Sequence, residues 1–378
     1  MRAILVTACV WGGAAAADIP RVAVDIAPVH SIVAAVMGDL GQPNLIVSPG
    51  ASPHGYSMRP SEARALDQAD VVVWVGEGLA SWLSGPITEL AAGAEVIELL
   101  DLPGTQLLEI RENAAFGSHD DHGHGAAHDG DDHDDHEAKV DDDHDENGHE
   151  DHADEVKADA DHDHAHDDHA QDDHDDHAPE AHDDHAAEAH DDHDDHEGED
   201  HADAHADHDH GAFDPHAWLD PQNAVIWAQT IAQVLAEKDP ENSAVYTSNA
   251  EAFASDMNAL QDEVTAILAP VTDRPFVVFH DAYHYFENRF GVEAVGAVSA
   301  SDAAAPSPAR VAALRDEVAG FEAVCAMREP QFAGGMLESL GTVKLGEMDP
   351  MGAALEVGPT LYSELLRGMA TSLANCLK

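Results

Sequence analysis

The chain is poor in cysteine, in aromatic residues and above all in positive charge. Sixteen Lys and Arg stand against 76 Asp and Glu in 378 residues, a formal net charge of −60. Nucleic-acid binding through phosphates needs clustered basic side chains, so that class is excluded. Adhesion to an anionic membrane surface is excluded on the same ground. No stretch reaches about 18 uninterrupted apolar residues, the length a membrane-spanning helix requires. Catalytic signatures are missing as well: there is no HExxH, no nucleophile elbow, no Walker-type Gly-rich phosphate loop and no CxxC. Any ATP hydrolysis in this protein's work must belong to a partner.

What the chain has is histidine, unevenly spread. The 92 residues His119–His210 hold 24 of the 29 His and 40 of the 76 acids, with two Lys (Lys139, Lys157) and no Leu, Ile, Phe, Trp or Tyr. Such a tract has nothing apolar to bury, cannot offset the entropy of ordering, and is expected to be a disordered insertion. It carries −38 of the charge (40 acids less two Lys), leaving −22 for the rest. His-Asp-Asp-His occurs in it seven times. Imidazole and carboxylate in low-complexity repetition point to metal binding. No site is preorganised there, so the expectation is a low-affinity zinc reservoir that raises the local concentration. The stretch Asp143–Asp154 partly matches a calcium-binding loop, but the twelfth position is Asp154 instead of Glu and no amphipathic helices flank it.

Met1–Ala17 reads as a cleavable export signal: Arg2, an apolar run to Trp11, then Ala15-Ala16-Ala17 before Asp18. If Cys9 leaves with it, Cys325 and Cys376 remain. An even pair in an exported protein suggests a disulfide, with two separate buried thiols as the alternative. Closing a loop of that length would contribute roughly 4 kcal/mol on the chain-entropy argument.

Outside the tract, short β-branched runs alternate with helical spacing. Strands are expected at Arg21–Ile26, Asn44–Val47, Val71–Val75 and Glu95–Leu99, then at Phe276–Phe279, Val292–Val298 and Ala323–Met327. Helices are expected at Val29–Met37, from Pro60 to about Gln68, Ile87–Ala92, Pro221–Lys238, Tyr283–Phe290, Pro308–Ala319, near Gly335–Leu340 and at Tyr362–Leu377. Alternation of this kind argues for α/β lobes, each a parallel sheet flanked by helices. Asn242–Leu268 is one amphipathic stretch between Pro240 and Pro270, long enough at 1.5 Å per residue to be a strut between lobes. The domains read as residues 18–240, with the insertion 119–210 inside them, a linker helix 241–270, and residues 271–378.

Five His lie outside the tract: His30, His54, His216, His280 and His284. His54 sits in a Pro- and Gly-rich loop after a strand, His216 between two Asp-Pro turns, and His280 at the end of a strand. Ligands of open α/β sheets lie at such strand ends. Three imidazoles and one oxygen suit tetrahedral zinc.

The segments Pro-Gly-Ala-Ser-Pro-His54-Gly-Tyr-Ser-Met-Arg-Pro-Ser, Asp-Val-Val-Val-Trp-Val-Gly76, Asp-Pro-His216-Ala-Trp-Leu-Asp-Pro, Phe-His280-Asp-Ala-Tyr, Glu-Pro-Gln-Phe332 and Met-Asp349-Pro-Met-Gly resemble the zinc-uptake ABC-transporter substrate-binding proteins. The resemblance runs over nearly all of Ile19–Lys378. It implies two α/β lobes joined by one long rigid helix, with the metal between them. It maps His54, His216 and His280 to metal ligands and Asp349 to a carboxylate ligand of manganese-type relatives. Those relatives typically have Glu where this chain has His280, and the softer nitrogen favours zinc. Pro53 stands where some zinc relatives carry Glu, so the fourth ligand lies between Asp349 and water, with Asp349 the expected one. The resemblance also places Cys325 and Cys376 where relatives have a disulfide.

His284 reads as half-exposed structure or an alternate ligand, and His30 as a packed residue. Glu77 reads equally as an acceptor orienting a ligand or as a solvated acid. The expected function is therefore non-enzymatic. A monomeric envelope protein binds Zn2+ and delivers it to an ABC permease and its ATPase. The alternatives are manganese, nickel or cobalt as cargo, a metal buffer or sensor without a transport partner, and a zinc hydrolase with an open fourth position.

Overall fold

A computed structural model describes residues 18–111, 113–116, 213–300, 306–322, 324–331 and 335–378. The expected export signal, the His119–His210 tract and Phe332 lie outside the described residues. Two four-stranded sheets organise what is described, and both are parallel throughout.

The first is built from β1 (Val22–Val24), α1 (Ala27–Met37), β2 (Asn44–Leu45), α2 (Pro60–Asp67), β3 (Val71–Trp74), α3 (Glu77–Leu90) and β4 (Glu95–Glu98), with strand order β2-β1-β3-β4. Two long helices follow the tract: α4 (Pro221–Lys238) and α5 (Ser243–Leu268). The second sheet uses β5 (Phe276–His280), α6 (His284–Phe290), β6 (Ala294–Ser299), α7 (Pro308–Val318), β7 (Val324–Arg328), α8 (Gly335–Glu338) and β8 (Val343–Glu347), in the order β6-β5-β7-β8, and α9 (Leu361–Leu377) closes the chain.

Because strand side chains alternate between faces, each buried strand feeds two cores. Val71 and Val73 of β3, Phe276 and Val278 of β5, and Cys325 and Met327 of β7 enter one continuous central core. Their neighbours turn outward. Val72 and Trp74 pack with Leu66, Leu83 and Ile87 of α2 and α3. Val277, Phe279, Val324 and Ala326 pack with Leu314 and Leu337.

α5 runs through the central core. Tyr246, Ala250, Phe253, Met257, Leu260, Val264 and Leu268 form its buried stripe, at the three- and four-residue spacing of one helical face. Its 26 residues make it about 39 Å long. It packs on α1 and α4 from the first lobe and on α6 and α9 from the second. α4 starts cleanly because Pro221 fills its first turn and Asp220 caps it, accepting from the Gln222 amide at 2.8 Å.

Two differences from expectation have physical causes. β8 carries Lys344, Gly346 and Glu347 and is mostly exposed at the sheet edge, so it lacks the apolar alternation that marks a buried strand. α3 begins at Glu77, ten residues before the expected Ile87. Gly78, Gly85 and Pro86 conceal it, and its backbone leaves helical geometry at Ala80 (φ −137°, ψ 61°).

The lobes are also joined by buried polar contacts. The Arg111 guanidinium lies over the Phe116 ring at 3.8 Å and pairs with both Asp281 and Glu287 of the second lobe. Opposing carboxylates hold the Arg111 charge firmly on against the cost of burial. Arg289 of α6 reaches Asp220 at 2.6 Å, and the Tyr285 hydroxyl donates to the Asp214 carbonyl at 2.8 Å. Just before the tract, the backbone at Ala114–Phe116 runs antiparallel beside β6, with the Ala297 amide donating to Ala114 and the Phe116 amide to Val295. Gly296 permits this approach: a Cβ there would overlap the Ala114 carbonyl.

Candidate metal centre

His280 is the last residue of β5, at the carboxyl end of its sheet, and is fully buried. Its Nδ1 hydrogen-bonds to Glu329, itself fully buried, whose other oxygen accepts from Gln331 at 2.7 Å. His216 follows the Asp214-Pro215 turn and is also buried. Asp214 Oδ1 accepts from the His216 amide at 2.9 Å and lies 2.7 Å from its Nδ1. Burial pushes the Asp214 carboxyl up to about 6, which still leaves it mainly ionised at neutral pH.

With both carboxylates ionised they can only accept, so the two Nδ1 atoms would donate and the two Nε2 atoms present lone pairs. Those two Nε2 atoms lie 3.4 Å apart. Two imidazoles bound tetrahedrally to one zinc, at about 2.0–2.1 Å each, would have their nitrogens about 3.3 Å apart. The separation of the two Nε2 atoms thus matches the spacing that one zinc ion bridges.

His54 approaches from a loop of the first lobe. Its ring centroid is 5.5 Å from that of His216, and His216 in turn is 5.2 Å from His280. The loop Ser48–Arg59 leaves the carboxyl end of the first sheet and is tied at both ends to Glu62 of α2. That carboxylate accepts from the Arg59 amide at 2.6 Å, the Tyr56 hydroxyl at 2.9 Å and the Ser48 hydroxyl at 3.4 Å. His54 is half-buried, the most accessible of the three rings.

Asp349 lies nearby but is occupied. Its Oδ1 accepts from the amides of Met351 and Gly352, both at 2.9 Å, and its Oδ2 from the amide of Ala353 at 2.6 Å. Tyr283, buried beside His280, marks its proximity: burial first, then the charges of Glu329 and Asp349, raise the phenol well above its ordinary value. Cys325 and Cys376 form a disulfide, with Cα atoms 5.9 Å apart, that staples α9 to β7.

The remaining candidates stand outside the three-imidazole group. His284 is half-buried, with Nδ1 4.0 Å from Asp214 Oδ2, and burial lowers its pKa. His30 is packed in α1, its Nε2 3.1 Å from the Pro43 carbonyl. The Glu77 amide donates to Glu98 at 3.2 Å, at the start of α3. Among the described residues, no group of three or more His, Cys, Asp or Glu is placed to hold a metal ion. The ring contacts run in series, from His54 to His216 and from His216 to His280.

Nothing in the sequence pattern sets Glu329 apart as a group that orients an imidazole. One local sign exists for Asp214, since Asp-Pro-His brings a carboxylate back onto its own histidine two residues on. Glu329 is 49 residues from His280 and meets it only because β5 and β7 are neighbours in the sheet.

The described arrangement has clear relatives. Residues 22–376 match the profile of the family described as zinc-uptake complex component A, periplasmic. The high-affinity zinc uptake system protein ZnuA of Brucella abortus is 40% identical over 369 residues, covering 97% of this chain and 94% of that protein. Its counterpart in Paracoccus denitrificans is 39% identical over 380 residues, covering 99% and 97%. A crystal structure of ZnuA superposes with a TM-score of 0.61 at 20% identity, covering 96% of this chain and all of that one.

Proposed function

Because this chain belongs to the periplasmic zinc-uptake component A family, we propose that it takes up Zn2+ with His54, His216 and His280 and hands it to an ABC importer. Members of the family are solute-binding proteins of the periplasm, not enzymes, and work with a membrane permease and its ATPase. Met1–Ala17 would serve as the export signal and be removed.

The observation that carries the ligand assignment is the 3.4 Å approach of the His216 and His280 Nε2 atoms, with both rings turned by carboxylates on their far nitrogens. Nitrogen from three imidazoles favours zinc over manganese as cargo. Water, and not Asp349, completes the shell in this reading. Asp349 already accepts three charge-assisted backbone hydrogen bonds that hold its carboxylate in its own turn.

Capture works by ordering of the His54 loop, not by a wide swing of the lobes. The continuous core and the buried pairs of Arg111 and Arg289 across the lobes resist hinge motion. The tract His119–His210 acts as a low-affinity reservoir. Its last histidine, His210, stands six residues before His216, so metal held there is at high effective concentration for the centre.

The test is competitive titration of the metal-free protein with Zn2+ and Mn2+, with and without residues 119–210. Tight zinc binding is expected to survive removal of the tract, to exceed manganese binding, and to fall by about a hundredfold or more in His54→Ala. Loss of tight binding on removal of the tract would overturn this assignment.

A further inference from the structure

His54 owes its position to a single peptide unit. The peptide joining Pro53 to His54 is planar, so holding its carbonyl and its amide fixes where the His54 Cα stands. The amide end is held within the loop, the His54 N–H donating to Ser52 Oγ at 3.2 Å. The carbonyl end is held from outside it. The indole Nε1 of Trp82, on α3, donates to the Pro53 carbonyl at 2.7 Å, across 29 residues of sequence. Pro53 is buried and Trp82 half-buried. The Trp82 ring also rests against Tyr56, centroids 5.7 Å apart at 49°, and Tyr56 is the residue whose hydroxyl reaches Glu62. Trp82 therefore touches the loop on both sides of His54. The change of backbone geometry at Ala80 lies two residues before it in the same helix.

We propose that Trp82 is a positioning residue for metal capture, its indole N–H fixing the Pro53–His54 peptide so that the His54 ring meets the pair formed by His216 and His280. This rests on the ligand role assigned to His54. Trp82 does not touch the metal in this account. It acts through main chain, so its effect is smaller than that of losing a ligand. Phenylalanine at this position keeps a ring against Tyr56 and removes the donor alone.

Trp227 offers a control. It donates an indole N–H of the same kind to Thr105 Oγ1 at 3.0 Å, from within the central core. The experiment compares the full chain with Trp82→Phe, Trp227→Phe and His54→Ala. Zinc affinity is read by competition against a chelating dye that outcompetes the tract, well below the melting temperature of every variant. Trp82→Phe is expected to weaken zinc binding about fivefold, with Trp227→Phe unchanged and His54→Ala weakened by about a hundredfold.

A Trp82→Phe affinity within about twofold of the parent, with His54→Ala still strongly weakened, overturns the role of Trp82 and leaves the ligand assignment standing. Equal weakening by Trp227→Phe overturns it as a general effect on folding. An unchanged His54→Ala overturns the ligand assignment, and the role of Trp82 falls with it.

Discussion

His216 and His280 are held differently from His54, and in the proposed centre that contrast would let one site both bind tightly and let go. The first two are buried, and each has a carboxylate on its Nδ1 that fixes tautomer and ring direction. They belong to secondary structure or to a Pro-fixed turn beside it. His54 rides half-buried on a loop, and Ser52 and Trp82 hold the main chain that carries it. A pair that is preorganised needs little ordering when metal arrives. A third ligand on a loop costs more to order and can be withdrawn more readily. In the proposed centre the pair would set the geometry and the loop would govern access.

After loss of a ligand itself, the largest expected effect comes from removing the orienting groups. Glu329→Gln and Asp214→Asn should each weaken zinc binding by about ten- to a hundredfold, measured by chelator competition. Effects no larger than that of Trp82→Phe would erase the distinction between a preorganised pair and a loop-borne third. Asp349→Ala sharpens the comparison from the other side. It should reduce stability by about 1–2 kcal/mol in denaturant unfolding, through the backbone donors left behind. Zinc affinity should change by less than about threefold. A loss as large as that of His54→Ala would make Asp349 the fourth ligand.

Much of this was legible in the sequence, for identifiable reasons. Val71–Trp74 and Phe276–His280 are continuous apolar runs because both faces of a parallel sheet are covered. α5 shows a buried stripe at helical spacing, and α4 opens on Asp220-Pro221. His54, His216 and His280 stood out as candidates because each lies at a strand end or in a proline-containing turn, where backbone geometry is set locally.

The parts that were not legible depend on contacts distant in sequence. β8 is recognised only by the edge it adds to, since Lys344 and Glu347 face solvent. Glu329 and Trp82 acquire their roles by lying next to His280 and Pro53 in space, 49 and 29 residues away. Asp349 is the instructive case. Its place beside the site could be read from Met-Asp-Pro-Met-Gly, but pattern alone does not distinguish a carboxylate that faces metal from one that binds its own turn.

The central claim is that one zinc ion sits among three imidazoles contributed by both lobes. X-ray absorption at the zinc edge, on protein lacking residues 119–210 and loaded with one equivalent of zinc, tests it directly. The account predicts three imidazole nitrogens at about 2.0–2.1 Å and one oxygen, with one imidazole lost in His54→Ala. A shell with fewer than three imidazoles, or one that His54→Ala leaves unchanged, would contradict it.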